Sequence, residues 1–169
     1  AVRPTSDRAR EALFNILSHG EFAADGLPFA ERPVLDAFAG TGAFGLEALS
    51  RGASAAAFID NNREALATLR RNVAALGESD RAQIVAGDVT RPARAGFACA
   101  VAFLDPPYGS GLAGPALAAL AAAGWLAPDS LVIVEVAARE ELSAPAAFTL
   151  LDERVYGAAR LVFLRREAP

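Results

Sequence analysis

Residues 33–45 read PVLDAFAGTGAFG and carry the clearest indication of fold. The apolar run 33–39 predicts a buried strand, and the glycines after it let the backbone turn sharply close to a ligand. A helical pattern then runs to Gly52, a residue suited to the position just beyond a helix end. The stretch therefore predicts strand, glycine loop and helix, in the order that nucleotide-binding folds use.

An acidic residue follows the next predicted strand, 55–59, at Asp60. In a nucleotide-binding unit, an acid at that position hydrogen-bonds ribose hydroxyls, while the helix behind the loop offers unpaired N–H groups. The glycine spacing alone is weak in a chain with 14 glycines. Together, the loop and the acid predict a ligand that resembles adenosine, and they do not name it.

The remaining chain alternates predicted helices and strands. Helices are expected within residues 1–20, from 62 to 76 and around 112–122, and strands at 82–86, 98–104, 131–136, 148–155 and 160–164. The last two strands are predicted to form a hairpin. This order predicts one α/β domain over residues 1–169, with a doubly wound, mostly parallel seven-stranded sheet and a C-terminal antiparallel hairpin.

The most specific motif is Asp105-Pro106-Pro107-Tyr108, directly after the strand 98–104. The carboxyl end of a parallel strand is where such sheets bind ligands. Two prolines stiffen the backbone and leave its carbonyls free to accept hydrogen bonds. The acid and a carbonyl could hold an exocyclic amine while the aromatic ring stacks on the base that carries it.

Composition narrows the class of protein. The chain has 169 residues, is 53% hydrophobic and has a net charge of −4. These values predict a globular fold without a membrane span. One cysteine, Cys99, predicts a reducing, cytoplasmic compartment, and a single histidine, His19, predicts that no metal is bound.

The positive charge is carried by 16 basic residues, all of them arginine. Three of these, Arg3, Arg8 and Arg10, lie close together near the N-terminus. Guanidinium groups suit phosphates and stacked bases, although the same cluster also fits an ordinary solvated helix face.

The order of motifs resembles a known family. The glycine loop, Asp60, Gly87-Asp88-Val89 and the motif 105–108 are together similar to class I S-adenosylmethionine-dependent methyltransferases that act on amines. The opening segment, residues 3–17, and the segment around Tyr156-Gly157 resemble more narrowly the bacterial 16S ribosomal RNA guanine-N2 methyltransferases of the RsmD type. Members of this family usually carry a short basic strand segment before the position of Arg3, so we expect the chain to be truncated there.

The resemblance implies roles for individual residues. Those implied to bind S-adenosylmethionine are Asp36, Ala39, Gly40, Thr41, Gly42, Asp60, Asn61, Asp88 and Val89. Those implied to hold or stack on the target base are Asp105, Pro106, Pro107 and Tyr108, and those implied to face RNA or cap the cofactor are Arg3, Thr5, Arg8 and Arg10. Asp36 and Asp88 could equally be turn or capping acids. The implied partner is small-subunit ribosomal RNA or an assembling ribosomal particle, met by a monomer.

Three alternatives remain open on the sequence. A nicotinamide-dependent oxidoreductase could use the same glycine loop and Asp60, but it leaves the motif 105–108 unexplained. The motif recognises an amine, so adenine N6 or another base amine in RNA or DNA is a second possibility. A nucleotide- or RNA-binding module without activity is the third.

Overall fold

The computed structural model describes residues 4–168, with the side chains of residues 4–6 left out. One seven-stranded sheet, in the order β3-β2-β1-β4-β5-β7-β6, organises these residues. The elements are α1 (Pro4–Ser18), a 3-10 helix (Gly20–Ala23), β1 (Pro33–Ala37), α2 (Ala43–Ser50), β2 (Ala55–Asp60), α3 (Arg63–Ala75), β3 (Ala82–Ala86), β4 (Cys99–Leu104), α4 (Ala113–Ala122), β5 (Leu126–Ala137), β6 (Phe148–Tyr156) and β7 (Ala159–Arg166).

Strands β3, β2, β1, β4 and β5 are parallel, whereas β7 is antiparallel to both β5 and β6. The predicted α/β fold with a C-terminal antiparallel hairpin is therefore confirmed. Strand β1 lies between β2 and β4, so the chain builds the sheet outward from β1 in both directions. In such sheets, ligands bind beyond the carboxyl ends of the strands at this switch point.

Two apolar clusters cover the two faces of the sheet. The cluster on one face joins α1, α2 and α3 to the strands through residues such as Leu13, Phe44 and Leu69. The cluster on the other face includes Leu117 of α4 and Trp125. The central strands are buried on both faces, which explains why they appear in the sequence as continuous apolar runs.

Most element boundaries lie within one or two residues of the prediction, and two differences are informative. Strand β5 begins at Leu126, five residues earlier than predicted, because Leu126 pairs with Cys99 before the register of the two strands shifts. Pro128 and Asp129 concealed this extension, since both are typical strand breakers, and Asp129 has a φ of 63°. Strand β1 ends at Ala37, so the last two residues of the predicted strand belong to the glycine loop.

Candidate active site

Three acidic side chains lie on the same face of the sheet near the carboxyl ends of its central strands. Asp36 lies in β1, and the last pair of the β4–β5 register is Leu104 with Val134, so Asp105 and Glu135 come next in line. Side chains two residues apart in a strand lie on the same face of the sheet. Asp105 therefore shares a face with Phe103, which belongs to the apolar cluster that also contains the buried residues of α1. The topology therefore brings together acids that are far apart in the sequence.

The glycine loop is held by two of the predicted cofactor-binding acids. Gly40 donates its N–H to Asp60 Oδ2 with an N···O distance of 2.7 Å, and Asn62 donates its N–H to Asp60 Oδ1 at 2.7 Å. Gly45 donates its N–H to Asp36 Oδ2 at 2.9 Å. Both carboxylates thus fix the loop between β1 and α2 through backbone N–H groups.

Gly42 is required by its surroundings as well as by its backbone. Its φ is 88°, and a Cβ at this position would lie 2.4 Å from Leu69 Cδ1. A side chain here would be strained and would collide with α3. The glycine therefore lets the loop lie close to the Leu69 side chain of α3.

Phe38 separates two pockets at the carboxyl edge of the sheet, and its φ of 59° is unusual for a residue other than glycine. One pocket, called the open pocket because its lining residues other than Val89 are exposed or half-buried, has a volume of about 150 Å³ and is lined by Phe38, Asp60, Asn61, Asp88, Val89, Pro107 and Leu112. The other, called the buried pocket because five of its nine lining residues are buried, has a volume of about 60 Å³ and is lined by Arg10, Asp36, Phe38, Ala39, Ala43, Phe44, Phe103, Asp105 and Glu135. Five residues predicted to form the site share the open pocket, and four share the buried pocket.

The buried pocket is strongly acidic. Asp36 and Glu135 are each only 2% exposed. Burial raises the pKa of the Asp36 carboxyl well above its ordinary value, the Gly45 N–H opposes this rise, and the negative charges of Asp105 and Asp60 add to it. The guanidinium of Arg10 lowers the same pKa and supplies positive charge from α1. A cationic ligand group would be electrostatically favoured here.

Asp88 has a different environment in the open pocket. Its Oδ1 accepts hydrogen bonds from the N–H of Thr90 at 2.9 Å and from the Thr90 hydroxyl at 2.7 Å. These contacts, followed by the weaker influence of Arg91, lower the pKa of Asp88, so the carboxylate is stable in its charged form. Asp88 therefore closes a local turn and also lines the pocket.

The segment 105–110 is fixed by contacts from both neighbouring strands. Asp105 donates its N–H to the carbonyl oxygen of Ala37 at 3.3 Å. The Tyr108 hydroxyl donates to Glu135 Oε2 at 2.9 Å, and the Gly109 N–H donates to Glu140 Oε1 at 3.0 Å. Pro106 is buried and Pro107 is exposed. The side chain of Tyr108 and the backbone after it are therefore both held in place.

The predicted N-terminal residues are placed differently from one another. Arg8 is exposed, while Arg10 lines the buried pocket and pairs with Asp7 at 3.1 Å. Arg3 lies outside the described residues, as does the side chain of Thr5. Thr41 is exposed, and its carbonyl oxygen accepts a hydrogen bond from the Asn72 side chain rather than lining either pocket.

Sequence reasoning missed Phe38, Glu135 and Glu140. Glu135 had a detectable signal, because it is the only charged residue within the apolar strand 131–136. Phe38 had none, since the left-handed backbone of an aromatic residue is not visible in a sequence. Glu140 had no signal either, because it accepts hydrogen bonds from backbone N–H groups of two segments that lie close together only in the folded chain.

Two further observations delimit the site. A larger cavity of about 470 Å³ lies at the opposite edge of the sheet, before β1 and beside Arg165, and it contains none of the predicted site residues. Within residues 4–168, no cluster of three or more histidine, cysteine or acidic side chains is arranged to hold a metal ion, and no helix is long and apolar enough to cross a membrane. The carboxyl edge, where the motifs converge, is therefore the candidate site.

Comparison with known proteins agrees with this arrangement. The family described as "Conserved hypothetical protein 95" matches residues 1–165. "Ribosomal RNA small subunit methyltransferase D" of Escherichia coli K12 is 35% identical over 168 residues, which are 99% of this chain and 81% of the relative. The protein of the same name from Haemophilus influenzae is 34% identical over 161 residues, 92% of this chain and 79% of the relative. The solved structure of yhhF from Escherichia coli matches with a TM-score of 0.82 and 36% identity, covering 100% of this chain and 90% of that one.

These relatives are methyltransferases, which removes the oxidoreductase and the inactive binding module as alternatives. The family expected from the motifs is also the one that the comparisons identify. The chain belongs to the Conserved hypothetical protein 95 family of RsmD-type methyltransferases.

Proposed function

We propose that this protein, as a single domain, transfers a methyl group from S-adenosylmethionine to the exocyclic N2 amine of a guanine in small-subunit ribosomal RNA. The observation that carries the proposal is the pair of pockets on either side of Phe38, one containing Asp60 and Asp88 and the other Asp105. A cofactor bound across Phe38 would join the two. The names of the relatives support ribosomal RNA as the substrate class.

The open pocket has the groups needed for an adenosine moiety. Asp60 can accept from ribose hydroxyls and Asp88 from the adenine amine, and Val89 offers an apolar surface to the ring. Asn61 completes the same wall. Ala39, Gly40, Thr41 and Gly42, together with Asp36, would hold the methionine moiety on the other side of Phe38.

The cofactor supplies an electrophilic methyl group, so the protein needs to provide position and electrostatics and requires no covalent nucleophile. In the proposal, Asp105 and the Pro106 carbonyl accept hydrogen bonds from the amine and orient its lone pair toward the methyl group. Transfer would form the N–C bond as the S–C bond of the cofactor breaks, and the Asp105 carboxylate, which accepts the hydrogen bond from N2, would take the proton that N2 loses. Tyr108 stacks on the base, which has left its own stack to enter the site.

The decisive experiment offers methyl-labelled S-adenosylmethionine to small-subunit RNA and to small-subunit particles that lack the modification, followed by mapping of the label. Label on guanine N2 is expected, and comparison of the two substrates shows whether naked RNA or a particle is used. Label on adenine N6 would replace guanine as the target. Transfer to neither substrate would overturn the proposal.

A further inference from the structure

Strand β5 buries an acid in an apolar environment. Residues 131–136 are all buried, and Glu135 among them is 2% exposed. Its neighbours Val134 and Val136 contribute to the apolar core. A buried carboxylate is costly unless hydrogen bonds or charges compensate it, so its presence requires a reason.

The hydrogen bond from Tyr108 is one contact that compensates the buried carboxylate of Glu135. Glu135 Oε2 accepts a hydrogen bond from the Tyr108 hydroxyl at 2.9 Å, and the two residues are 27 positions apart in the chain. The ring of Tyr108 is half-buried and packs against the core cluster below α1. Pro106 and Pro107 restrict the backbone before Tyr108. The hydrogen bond of its hydroxyl then restricts rotation of the side chain, so that the orientation of the ring is held.

The backbone of the same segment is held separately. Glu140 Oε1 accepts from the N–H of Gly109 at 3.0 Å and from the N–H of Ala137 at 3.1 Å. The loop 105–110 therefore keeps its attachment to the end of β5 when the Tyr108 contact is lost. A change at Glu135 can therefore be tested for its effect on the Tyr108 ring while the backbone of the loop stays attached, although Glu135 also lines the buried pocket.

We propose that Glu135 is a positioning residue for methyl transfer, which acts by holding the ring of Tyr108 in the orientation that receives the target base. The inference rests on the proposed function, in which Tyr108 stacks on that base. A ring that is already fixed loses no rotational freedom when the base arrives, and so binds the extruded base more favourably. A purely structural Glu135 would instead affect stability or cofactor affinity.

The test is a double-mutant cycle with Glu135→Leu and Tyr108→Phe, in which kcat/KM for RNA and the Kd of S-adenosylmethionine are both measured. Leucine removes the acceptor at similar volume, and phenylalanine removes only the donor. Each single substitution is expected to lower kcat/KM by roughly 10- to 100-fold, the range expected for a hydrogen bond to a charged group. The double variant should be no worse than the more impaired single variant, because both changes break the same contact. Cofactor Kd should change much less than kcat/KM, because Glu135 is proposed to act on the target base through Tyr108, although it also lines the pocket proposed for the methionine moiety.

Glu135→Gln provides the conservative rescue, since its amide oxygen can still accept from Tyr108. It should lie between wild type and Glu135→Leu, and its own cycle with Tyr108→Phe answers the question if the leucine variant does not fold. Glu141→Gln, at an exposed acid nearby, is the matched control and should behave as wild type. Losses that multiply in the double variant, or a loss of cofactor affinity equal to the loss of turnover, would overturn the inference. Absence of transfer by the wild-type protein would instead count against the proposed function.

Discussion

The two pockets that meet at Phe38 differ in how they hold their acids. In the open pocket, Asp60 and Asp88 are half-exposed, and backbone N–H groups or a hydroxyl satisfy their carboxylates. In the buried pocket, Asp36 is almost inaccessible, and burial raises its pKa. Under the proposed function, the adenosine moiety would be recognised by solvated carboxylates, whereas the buried carboxyl of Asp36 would be kept at a cost in stability.

The largest effect is expected at Asp105, in the buried pocket. Asp105→Ala should leave the Kd of S-adenosylmethionine nearly unchanged and lower kcat by roughly 100-fold or more, because the carboxylate is proposed to orient the target amine. Single-turnover methyl transfer with calorimetry of cofactor binding measures both quantities. The exposed Asp80→Ala is a suitable control. Equal losses of cofactor affinity and turnover would show that Asp105 has a structural role and that the two pockets do not divide the work.

A smaller effect is expected at Asp60, in the open pocket. Asp60→Ala should weaken S-adenosylmethionine binding by about 1.5–3 kcal/mol, the value of a hydrogen bond to a charged group. The Gly40 N–H also loses its acceptor, so the glycine loop should become more mobile. Calorimetry measures the change in cofactor affinity, and amide hydrogen exchange of the glycine loop in the protein without cofactor measures the change in mobility.

Asp60→Asn serves as the matched comparison, since its amide oxygen can still accept from Gly40, while the charge is lost and the oxygen that accepts from Asn62 is replaced by an NH2 group. If the asparagine variant binds the cofactor as well as wild type does, geometry and not charge explains the role of Asp60. Unchanged affinity in the alanine variant would remove Asp60 from the cofactor site.

The buried charge of Asp36 should be visible as a pH dependence of stability. Its pKa is raised in the folded protein, so the folded state holds its proton more tightly than the unfolded chain does. The free energy of unfolding therefore falls as pH rises above the ordinary aspartate value of 3.8, until the folded pKa has been passed. Asp36→Asn removes this titration and keeps an acceptor for Gly45, so it should be more stable than wild type at neutral pH.

Thermal unfolding of both proteins from pH 4 to pH 8 provides the measurement. The Tm advantage of Asp36→Asn should grow with pH and then level off, with each kcal/mol corresponding to about 2–4 °C in a chain of this size. Cofactor affinity should fall at the same time, because Asp36 is proposed to hold the methionine moiety. A variant that is less stable than wild type at neutral pH would show that the Asp36 charge stabilises the fold.

Local patterns predicted most of the fold and the position of Asp60, whereas Asn61, Asp88 and Val89 of the open pocket were implied by the resemblance to methyltransferases. The strand that ends at Asp60 and the motif 105–108 carry their information in adjacent residues, so the sequence alone placed them at the carboxyl edge. The buried pocket was harder to predict because its wall depends on register. Glu135 lies beside Asp105 only because Leu104 pairs with Val134, and no periodicity within either strand reveals that pairing. The positive φ of Phe38, which lines both pockets, is likewise not visible in the sequence.

The smallest effects are expected from substitutions of Arg8 and Arg10, which lie on the outer side of α1 and on the side that faces the buried pocket, respectively. Arg8 is exposed, whereas the side chain of Arg10 is 35% exposed, pairs with Asp7 and lines the pocket beside Asp36 and Asp105. We therefore expect Arg8→Ala to weaken RNA binding and to flatten its salt dependence by roughly one unit of slope for one lost phosphate contact. Affinity for S-adenosylmethionine should not change.

Arg10→Ala should show the opposite pattern. It removes positive charge next to the acids of the buried pocket, so the thermal stability or the cofactor affinity should fall while the salt slope stays at its wild-type value. RNA affinity measured at several salt concentrations for the two single variants and the double variant decides the matter. The double variant should have the slope of Arg8→Ala alone, because only one of the two guanidinium groups would face the phosphates. An unchanged slope in Arg8→Ala would remove this residue from the RNA interface, and a flattened slope in Arg10→Ala would mean that RNA reaches the rim of the buried pocket itself.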